Sequence, residues 1–353
     1  MESTTKGLLA LLDLTKRITR RLLGYIFLVC LSLLSILTRR TVFVIVRPFG
    51  DLGNRLYLFA NFIAYAFEHD AIVLNPAFQP WRNTFAGTRP GALACYPPPP
   101  WPHFSGDLIG RWFQDMTWSG EAIARSSLST RKWASISIDG DECCNLDNPE
   151  FVQWALNKHV VFANGWKFLS SEYMRIHSHA IKGYFGRVTD KVSHSLSLFQ
   201  TLRSDCTLVV GVMIRHGDYR NWEKGRYFFP TSTYIRWIHE TKELFPNHKV
   251  GFLITGNDDI PPEGIEDIPN LFLSHRDPET RFLLSECDYI IAPVSTFAGW
   301  AAYVGKVPIF ILSSEKATIR KEGFKRIYNY TDMRDGSFPD DHDTTHSLVA
   351  KRF

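Results

Sequence analysis

Arg215 comes directly after an uninterrupted run of apolar and small residues, LVVGVMI at 208–214. Such a run is typical of a strand buried in a parallel sheet. A guanidinium keeps its charge and makes paired hydrogen bonds with phosphate oxygens, so an arginine at the end of this strand favours an anion-binding site. The alternative is a structural ion pair with Asp218, in the loop that follows.

Two other segments place glycine or small hydroxyl residues between an apolar run and a helix. The first is GDLGNR at 50–55, where the two glycines either let backbone N–H groups approach an anion or a sugar, or form a structural turn. The second is PVSTF at 293–297, whose hydroxyls either cap a helix or bind a phosphate.

Alternating strands and helices surround these segments. A first βαβ unit is predicted from a strand at 41–46, a helix at 55–67 and a strand at 71–74, with a further strand at 160–163. A second series has strands at 208–214, 249–254, 271–274, 289–292 and 307–312 and helices at 231–244, 279–286 and 298–304. Between 78 and 150 the pattern is irregular, and YPPPPWP at 96–102 predicts a surface loop, since proline cannot donate a backbone hydrogen bond.

These segments resemble three conserved blocks of the α-1,2-fucosyltransferases (glycosyltransferase family 11), which belong to the wider superfamily of GDP-fucose fucosyltransferases. The family's blocks read approximately GGLGNQ, H-x-R-R-G-D-Y and D-x-x-I-x-x-S-x-S-T-F-x-x-W-A-A. This chain has GDLGNR at 50–55, MIRHGDY at 213–219 and DYIIAPVSTFAGWAA at 288–302, in the same order. The resemblance runs from 41 to 312, although little matches between the first two blocks.

The resemblance implies an α/β fold of the GT-B kind, with two Rossmann-like lobes facing a cleft behind a hydrophobic N-terminal helix. We therefore expect an N-terminal segment at 1–40, an acceptor-side lobe at 41–190 and a nucleotide-sugar-binding lobe at 191–353. The implied reaction transfers fucose from GDP-fucose to a hydroxyl of a glycan acceptor by inverting displacement, with no metal and no cofactor.

The resemblance also assigns roles to single residues. Arg215 matches the arginine that contacts the β-phosphate of the donor, and Asp218 matches the aspartate that braces its loop. The other matches are to the block beside the diphosphate and base and to the N-terminal loop at the cleft: Ser295, Thr296, Phe297, Gly53 and Asn54.

The chain departs from the family's pattern at two positions of the second block. Met213 replaces a histidine that contacts guanine in related enzymes, and His216 replaces the second arginine. Asp258 or Asp259, in a segment that looks like the family's S-D-D, could supply a carboxylate to guanine. A transferase of the same fold with another nucleotide sugar, or an inactive carbohydrate- or protein-binding relative, are the alternatives.

Several carboxylates are candidates for a general base or for a metal site. Glu223 lies at the separation from Arg215 at which related α-1,6 enzymes carry a proposed base, and Asp51 is its rival. Asp139 and Asp141 form a D-x-D such as another glycosyltransferase fold uses for Mn²⁺, but their acidic surroundings favour a solvated loop.

Composition excludes several classes of protein. The net charge of +4, from 40 basic and 36 acidic residues, is too balanced to indicate nucleic-acid binding. The six cysteines form no C-x-x-C pair and indicate neither a zinc site nor a disulfide framework.

The N-terminal segment carries a charge-free run, LLGYIFLVCLSLLSILT at 22–38. As a helix it would be about 25 Å long, at the short limit for crossing a bilayer. The excess of positive charge at 16–21 predicts a single-pass anchor with a cytoplasmic N-terminus, in the Golgi if the source is eukaryotic. A helix lying in the membrane surface, or a docked helix of a soluble cytoplasmic protein, are the alternatives.

Overall fold

Two five-stranded β-sheets, each flanked by helices, organise the chain. The computed structural model describes residues 2–99, 107–126, 129–140, 142–186, 193–256, 263–274 and 280–333. The described residues form two compact units. The second unit holds 193–333 together with Leu52–Tyr57, and the first unit holds the remainder.

In its described residues the first unit contains seven strands and six α-helices, one of which, α2, begins with the segment Leu52–Tyr57 of the second unit. The strands are β1 Val42–Ile45, β2 Ile72–Leu74, β3 Cys95–Tyr96, β4 Trp133–Ser137, β5 Cys144–Asn145, β6 Val160–Asn164 and β7 Phe168–Leu169. The helices are α1 Glu2–Thr38, α2 Leu52–His69, α3 Asp107–Ala124, α4 Pro149–Leu156, α5 Ser171–Ile176 and α6 Ser178–Tyr184, with a 3₁₀ helix at Pro76–Thr84. The main sheet has the order β3-β2-β1-β6-β4 and is parallel except at the β2–β3 edge, and β5 pairs with β7.

Helices cover both faces of the first sheet, because successive residues of a strand point to opposite sides. On one face, Val42 and Val44 of β1 pack in a core with Phe27 and Leu28 of α1. On the other face, the ring of Phe43 lies 5.4 Å from that of Phe62 in α2. The strand that begins the chain's first βαβ unit is therefore buried on both sides.

The second unit contains five parallel strands. They are β8 Leu208–Ile214, β9 Val250–Gly256, β10 Asn270–Ser274, β11 Tyr289–Pro293 and β12 Ile309–Leu312. Its helices are α7 His194–Asp205, α8 Thr231–Leu244, α9 Thr280–Leu283 and α10 Thr296–Gly305, with 3₁₀ helices at Gly217–Arg220, Trp222–Gly225, Leu284–Glu286, Lys321–Gly323 and Tyr330–Met333. The sheet order is β10-β9-β8-β11-β12. All seven residues of β8 are buried, as its apolar run predicts.

The α/β class predicted from the sequence is confirmed, and β8 and α8 have the predicted bounds. Between 78 and 150 the absence of a clear pattern was misleading, because α3 and β4 lie there. The buried face of α3 contains small and polar residues such as Gly110, Thr117 and Gly120, so its apolar period is weak. Helix α1 is also far longer than the predicted run at 22–38.

Candidate functional site

The carboxyl ends of β8 and β11 lie side by side in the second sheet. The two strands pair in parallel, with Ile291 opposite Val212, while the order places β9 and β10 on the other side of β8. The chain thus changes direction across the sheet between β8 and β11. Such a switch point opens a crevice at the carboxyl ends of the strands, which is where ligands bind in open α/β sheets.

Arg215 lies at this switch point, immediately after β8. Its backbone N–H donates to the hydroxyl of Tyr234, 3.3 Å away, and only 16% of its side chain is exposed. Its NH2 group lies 3.1 and 3.2 Å from the two carboxylate oxygens of Asp218, whose side chain is 63% exposed. Its Nε is buried and, within the part of the chain that the structure describes, donates no hydrogen bond. The Nε–H group of Arg215 is therefore a hydrogen-bond donor that the ion pair with Asp218 does not use.

Tyr219 connects the loop after β8 to the loop after β11. Its ring lies 4.5 Å from the guanidinium carbon of Arg215, and its hydroxyl donates to the carbonyl of Val294 over 2.6 Å. Burial raises the pKa of Tyr219, while the charge of Arg215 and a hydrogen bond with Ser295 oppose that rise. Tyr219 was not among the predicted site residues, although it ends the block MIRHGDY.

Ser295 and Thr296 form the start of α10. Ser295 is the N-cap residue, it is 6% exposed, and its side chain makes no capping hydrogen bond. Its carbonyl accepts from the N–H of Gly299, 2.9 Å away. The Ser295 hydroxyl therefore does not have the simple capping role that the sequence allowed. Phe297, in the first turn of α10, is half-buried.

Gly53, in the first turn of α2, packs directly on the first turn of α10. A Cβ at Gly53 would lie 2.7 Å from Oγ1 of Thr296 and 2.8 Å from the backbone nitrogen of Phe297. A hydrogen is the only substituent that fits there, so the packing of two helix ends requires this glycine. Asn54 is the half-buried neighbour of Gly53. The three segments singled out in the sequence thus meet within the second unit.

The remaining candidates are exposed or lie outside the described residues. Glu223 is exposed. Its backbone lies in the left-handed region, with φ of 49°, and so does that of Lys224, with φ of 57°. Asp51 is exposed at the N-cap of α2 and makes no capping hydrogen bond through its side chain. Asp258, Asp259 and Asp141 lie outside the described residues, and Asp139 is exposed after β4. The identity of the general base and the expectation that no metal is needed therefore stay predictions.

The two residues that depart from the resemblance are both buried. Met213 is 2% exposed within β8. His216 is 6% exposed, and its Nε2 lies 2.9 Å from the carbonyl oxygen of Phe229. His216, at the position of the family's second arginine, therefore links the loop after β8 to the segment that precedes α8.

The chain is similar to known proteins in structure but not in sequence. No protein-family model matches the chain, and no curated protein matches it in sequence. A point mutant of Arabidopsis thaliana FUT1 in complex with GDP has a similar structure, with a TM-score of 0.50 over 82% of this chain and 75% of that one. The chain has an α/β fold of the GT-B kind. At 13% sequence identity the likeness establishes the fold, so family 11 and the α-1,2 linkage stay predictions.

Two other fucosyltransferase structures also match, at lower TM-scores. POFUT1 in complex with GDP is 10% identical, with a TM-score of 0.40 over 76% of this chain and 96% of that one. NodZ from Bradyrhizobium is 14% identical, with a TM-score of 0.40 over 79% of this chain and 98% of that one.

Proposed function

We propose that this protein is a glycosyltransferase that transfers fucose from GDP-fucose to a hydroxyl of a glycan acceptor by a metal-independent inverting displacement. The observation that carries the proposal is Arg215, a half-buried cation at the switch point of a parallel sheet, with an Nε that donates no hydrogen bond among the described residues. The likeness in fold to a protein that binds GDP supports the proposal, and so do the matched blocks at 213–219 and 288–302.

In this proposal Arg215 stabilises the leaving group. Negative charge grows on the β-phosphate as the bond to the anomeric carbon breaks and an acceptor hydroxyl attacks. A cation fixed in place before the reaction stabilises that charge more in the transition state than in the ground state. The hydrogen bond from Tyr219 to the carbonyl of Val294 holds the arginine's loop against the segment that precedes α10, whose first-turn N–H groups also favour an anion.

The acceptor hydroxyl must lose its proton, and Glu223 and Asp51 are the two candidate bases. Glu223→Gln and Asp51→Asn, compared in a transfer assay, identify the base as the residue whose loss slows transfer while GDP still binds. If neither change slows transfer, no side chain from this pair takes the proton.

The first prediction tests Arg215 directly. We expect Arg215→Ala to lower turnover of GDP-fucose by about 100- to 1,000-fold, the usual cost of removing a group that stabilises a developing oxyanion. The control is Arg220→Ala, which removes an exposed guanidinium that packs on the ring of Phe228 in the same loop. A folded Arg215→Ala protein with normal turnover would contradict the assignment.

Nucleotide selectivity separates the proposal from its alternatives. Met213 is buried where the resemblance expects a guanine-binding histidine, and this favours a different donor as the second candidate. The full chain is heated with GDP, UDP or CMP. Protection by GDP supports the proposal, and protection by UDP or CMP supports a transferase with another donor. Protection by none, together with no donor hydrolysis, supports an inactive binding relative.

We also infer that the protein works at a membrane. Among the described residues, Leu14–Thr38 is the one helix that is long and apolar enough to cross a bilayer. The core helix of a soluble protein can have the same length and composition. The inference therefore rests on which side chains of this helix are exposed.

A further inference from the structure

Helix α1 has an inward apolar face that belongs to the core of the first unit. Phe27, Leu28 and Leu31 are buried in that core beside Val42 and Val44 of β1. Because these side chains complete one face of the sheet, moving α1 into a bilayer would expose that face to water.

Helix α3 and β4 hold this face of α1 closely. A Cβ at Gly24 would lie 2.8 Å from the Cβ of Ser119 in α3, so the two helices touch backbone to backbone. The rings of Phe27 and Phe113 pack edge to face at 4.9 Å. Nε1 of Trp133 in β4 donates to Oγ of Ser32 over 2.7 Å. The middle of α1 is therefore a fixed part of the unit.

The opposite face of α1 is apolar as well, and it is exposed. Leu22, Ile26, Val29, Leu33 and Ile36 are all exposed, and they recur at spacings of four and three residues. This period places them on one stripe of the helix. Leu14, Ile18 and Leu37, also exposed, lengthen the stripe at its two ends. An apolar stripe of this length in water needs an apolar partner.

Basic residues occupy the other side of α1 where the helix extends past the core. Lys16, Arg17, Arg20 and Arg21 are exposed, and the sequence from 14 to 38 contains no acidic residue. Steps of four residues lead from Lys16 through Arg20 to Gly24, so these cations continue the inward side rather than the stripe. An apolar stripe backed by basic side chains is the pattern of a helix that lies in the plane of a membrane surface.

Helix α3, which packs against α1, also carries exposed aromatic residues. They are Trp112 and Trp118. Tryptophan is enriched where lipid headgroups meet the acyl chains.

We propose that the outward faces of α1 and α3 form one docking surface for a bilayer of anionic lipids, on which α1 lies flat and does not cross. The occupant is a membrane because the stripe is apolar along its length, the flanking charges are of one sign, and the neighbouring helix α3 carries exposed tryptophans. The inference is independent of the donor, since it concerns a face of the first unit and not Arg215.

Binding to preformed vesicles tests the proposal. The full chain is added to sealed vesicles of phosphatidylcholine mixed equally with phosphatidylserine, and to vesicles of phosphatidylcholine alone. We expect stronger sedimentation with the anionic vesicles, weakened by salt. Leu22→Gln, Ile26→Gln and Leu33→Gln combined should lower the bound fraction at least about tenfold, because each exposed side chain loses apolar contact. The matched control is Leu156→Gln with Ile176→Gln, two exposed aliphatic residues of the same unit.

Two further measurements distinguish the orientation. Brominated lipids should quench tryptophan fluorescence in the wild type and much less in a Trp112→Phe, Trp118→Phe variant. Trp222→Phe, an exposed tryptophan of the second unit, should leave the quenching unchanged. Trypsin added outside the vesicles should leave no protected peptide.

Three outcomes overturn the proposal. The first is vesicle binding by the triple glutamine variant equal to that of the wild type. The second is an N-terminal peptide that only detergent makes accessible to trypsin, because the helix then crosses the bilayer. The third is a lipid-free dimer that the triple variant converts to a monomer without any vesicle binding by the wild type, because the surface then binds a second copy of the chain.

Discussion

At the scale of single residues, the pair Arg215–Asp218 decides how the candidate site binds an anion. The two side chains differ in environment, with the arginine mostly enclosed and the aspartate mostly in water. Because water screens the charge of Asp218, its attraction to the guanidinium is weaker than it would be if both side chains were enclosed. In the proposed function, this weaker attraction leaves the arginine able to bind a diphosphate while it keeps its contact with Asp218.

Tyr219 gives the second prediction, because its hydroxyl ties two strand-end loops together. Tyr219→Phe removes the donor to the carbonyl of Val294 and keeps the ring beside Arg215. We expect the free energy of unfolding to fall by about 1 to 2 kcal/mol, the usual cost of leaving a buried polar group unpaired. Urea unfolding measures this loss, and protection by GDP should weaken as well.

The control is Tyr289→Phe, which removes a hydroxyl from a half-buried tyrosine whose ring packs on Phe245. Equal effects of the two changes on GDP protection would show that Tyr219 has no special part in holding the site.

At the scale of elements, the first turn of α2 and the first turn of α10 act as one structure. Their contact needs a glycine, and it continues through Tyr57, whose ring packs edge to face on Trp300 at 5.4 Å. The residues come from distant parts of the chain but belong to the same compact unit. The start of α10 therefore depends on α2 as well as on β11.

Gly53→Ala is the third prediction. The added carbon would lie under 3 Å from Thr296 and Phe297, so one helix end must move. Forced overpacking of this kind costs about 1 to 3 kcal/mol, and the shift of α10 should also lower protection by GDP. Gly183→Ala in α6 is the matched control, because a Cβ there meets no atom within 4 Å. Similar stabilities for the two variants would contradict the close contact.

The fourth prediction concerns pH and the connection between α7 and β11. Asp288 accepts hydrogen bonds from Arg203 and from the N–H of Val209, the latter 2.8 Å away. Burial alone would raise the pKa of Asp288, but these hydrogen bonds outweigh it and the pKa is lowered. A carboxylate with a lowered pKa stabilises the fold above its unfolded pKa of about 4 and loses this contribution as pH falls through the folded value.

Asp288→Asn should therefore destabilise the protein by about 1 to 2 kcal/mol near neutral pH, and the gap to the wild type should shrink below about pH 4. Urea unfolding at several pH values measures the gap. Asp205→Asn, an exposed carboxylate at the end of α7, controls for the loss of a surface charge. A gap that stays constant down to low pH would contradict the role given to Asp288.

At the scale of the whole molecule, two units have separate hydrophobic cores, and α1 contributes to one of them. The exposed stretch 14–21 lies outside that core, whereas Phe27, Leu28 and Leu31 are within it. Deletions from the N-terminus should therefore be tolerated as far as the exposed stretch 14–21 and should destabilise the protein once they reach the buried residues.

The fifth prediction follows from this limit. Deleting 2–21 should leave the stability of the protein nearly unchanged, because the removed side chains at 14–21 are exposed. Deleting 2–38 should cost more than about 5 kcal/mol, since several buried side chains are lost together, and the product should aggregate. Thermal unfolding and solubility measure both. A stable, soluble chain that begins at residue 39 would contradict the place of α1 in the core.

The class of fold, and the strands of the second unit to within two residues at each end, could be predicted from the sequence alone. Strand β8 is an unbroken apolar run, and a polar loop begins at Arg215, so its end was visible without a structure. Such local patterns are readable because burial on both faces of a parallel strand excludes polar residues. The same reasoning missed α3, where Gly110, Thr117 and Gly120 occupy buried positions.

Only the tertiary structure decided which distant residues meet. It placed Gly53 against Thr296 and made Tyr219 the bridge between two loops. It also showed that one side of α1 is enclosed while the other is exposed, although the sequence places apolar residues on both sides. The physical reason is that burial depends on the neighbour that covers a side chain, and that neighbour comes from a remote part of the chain.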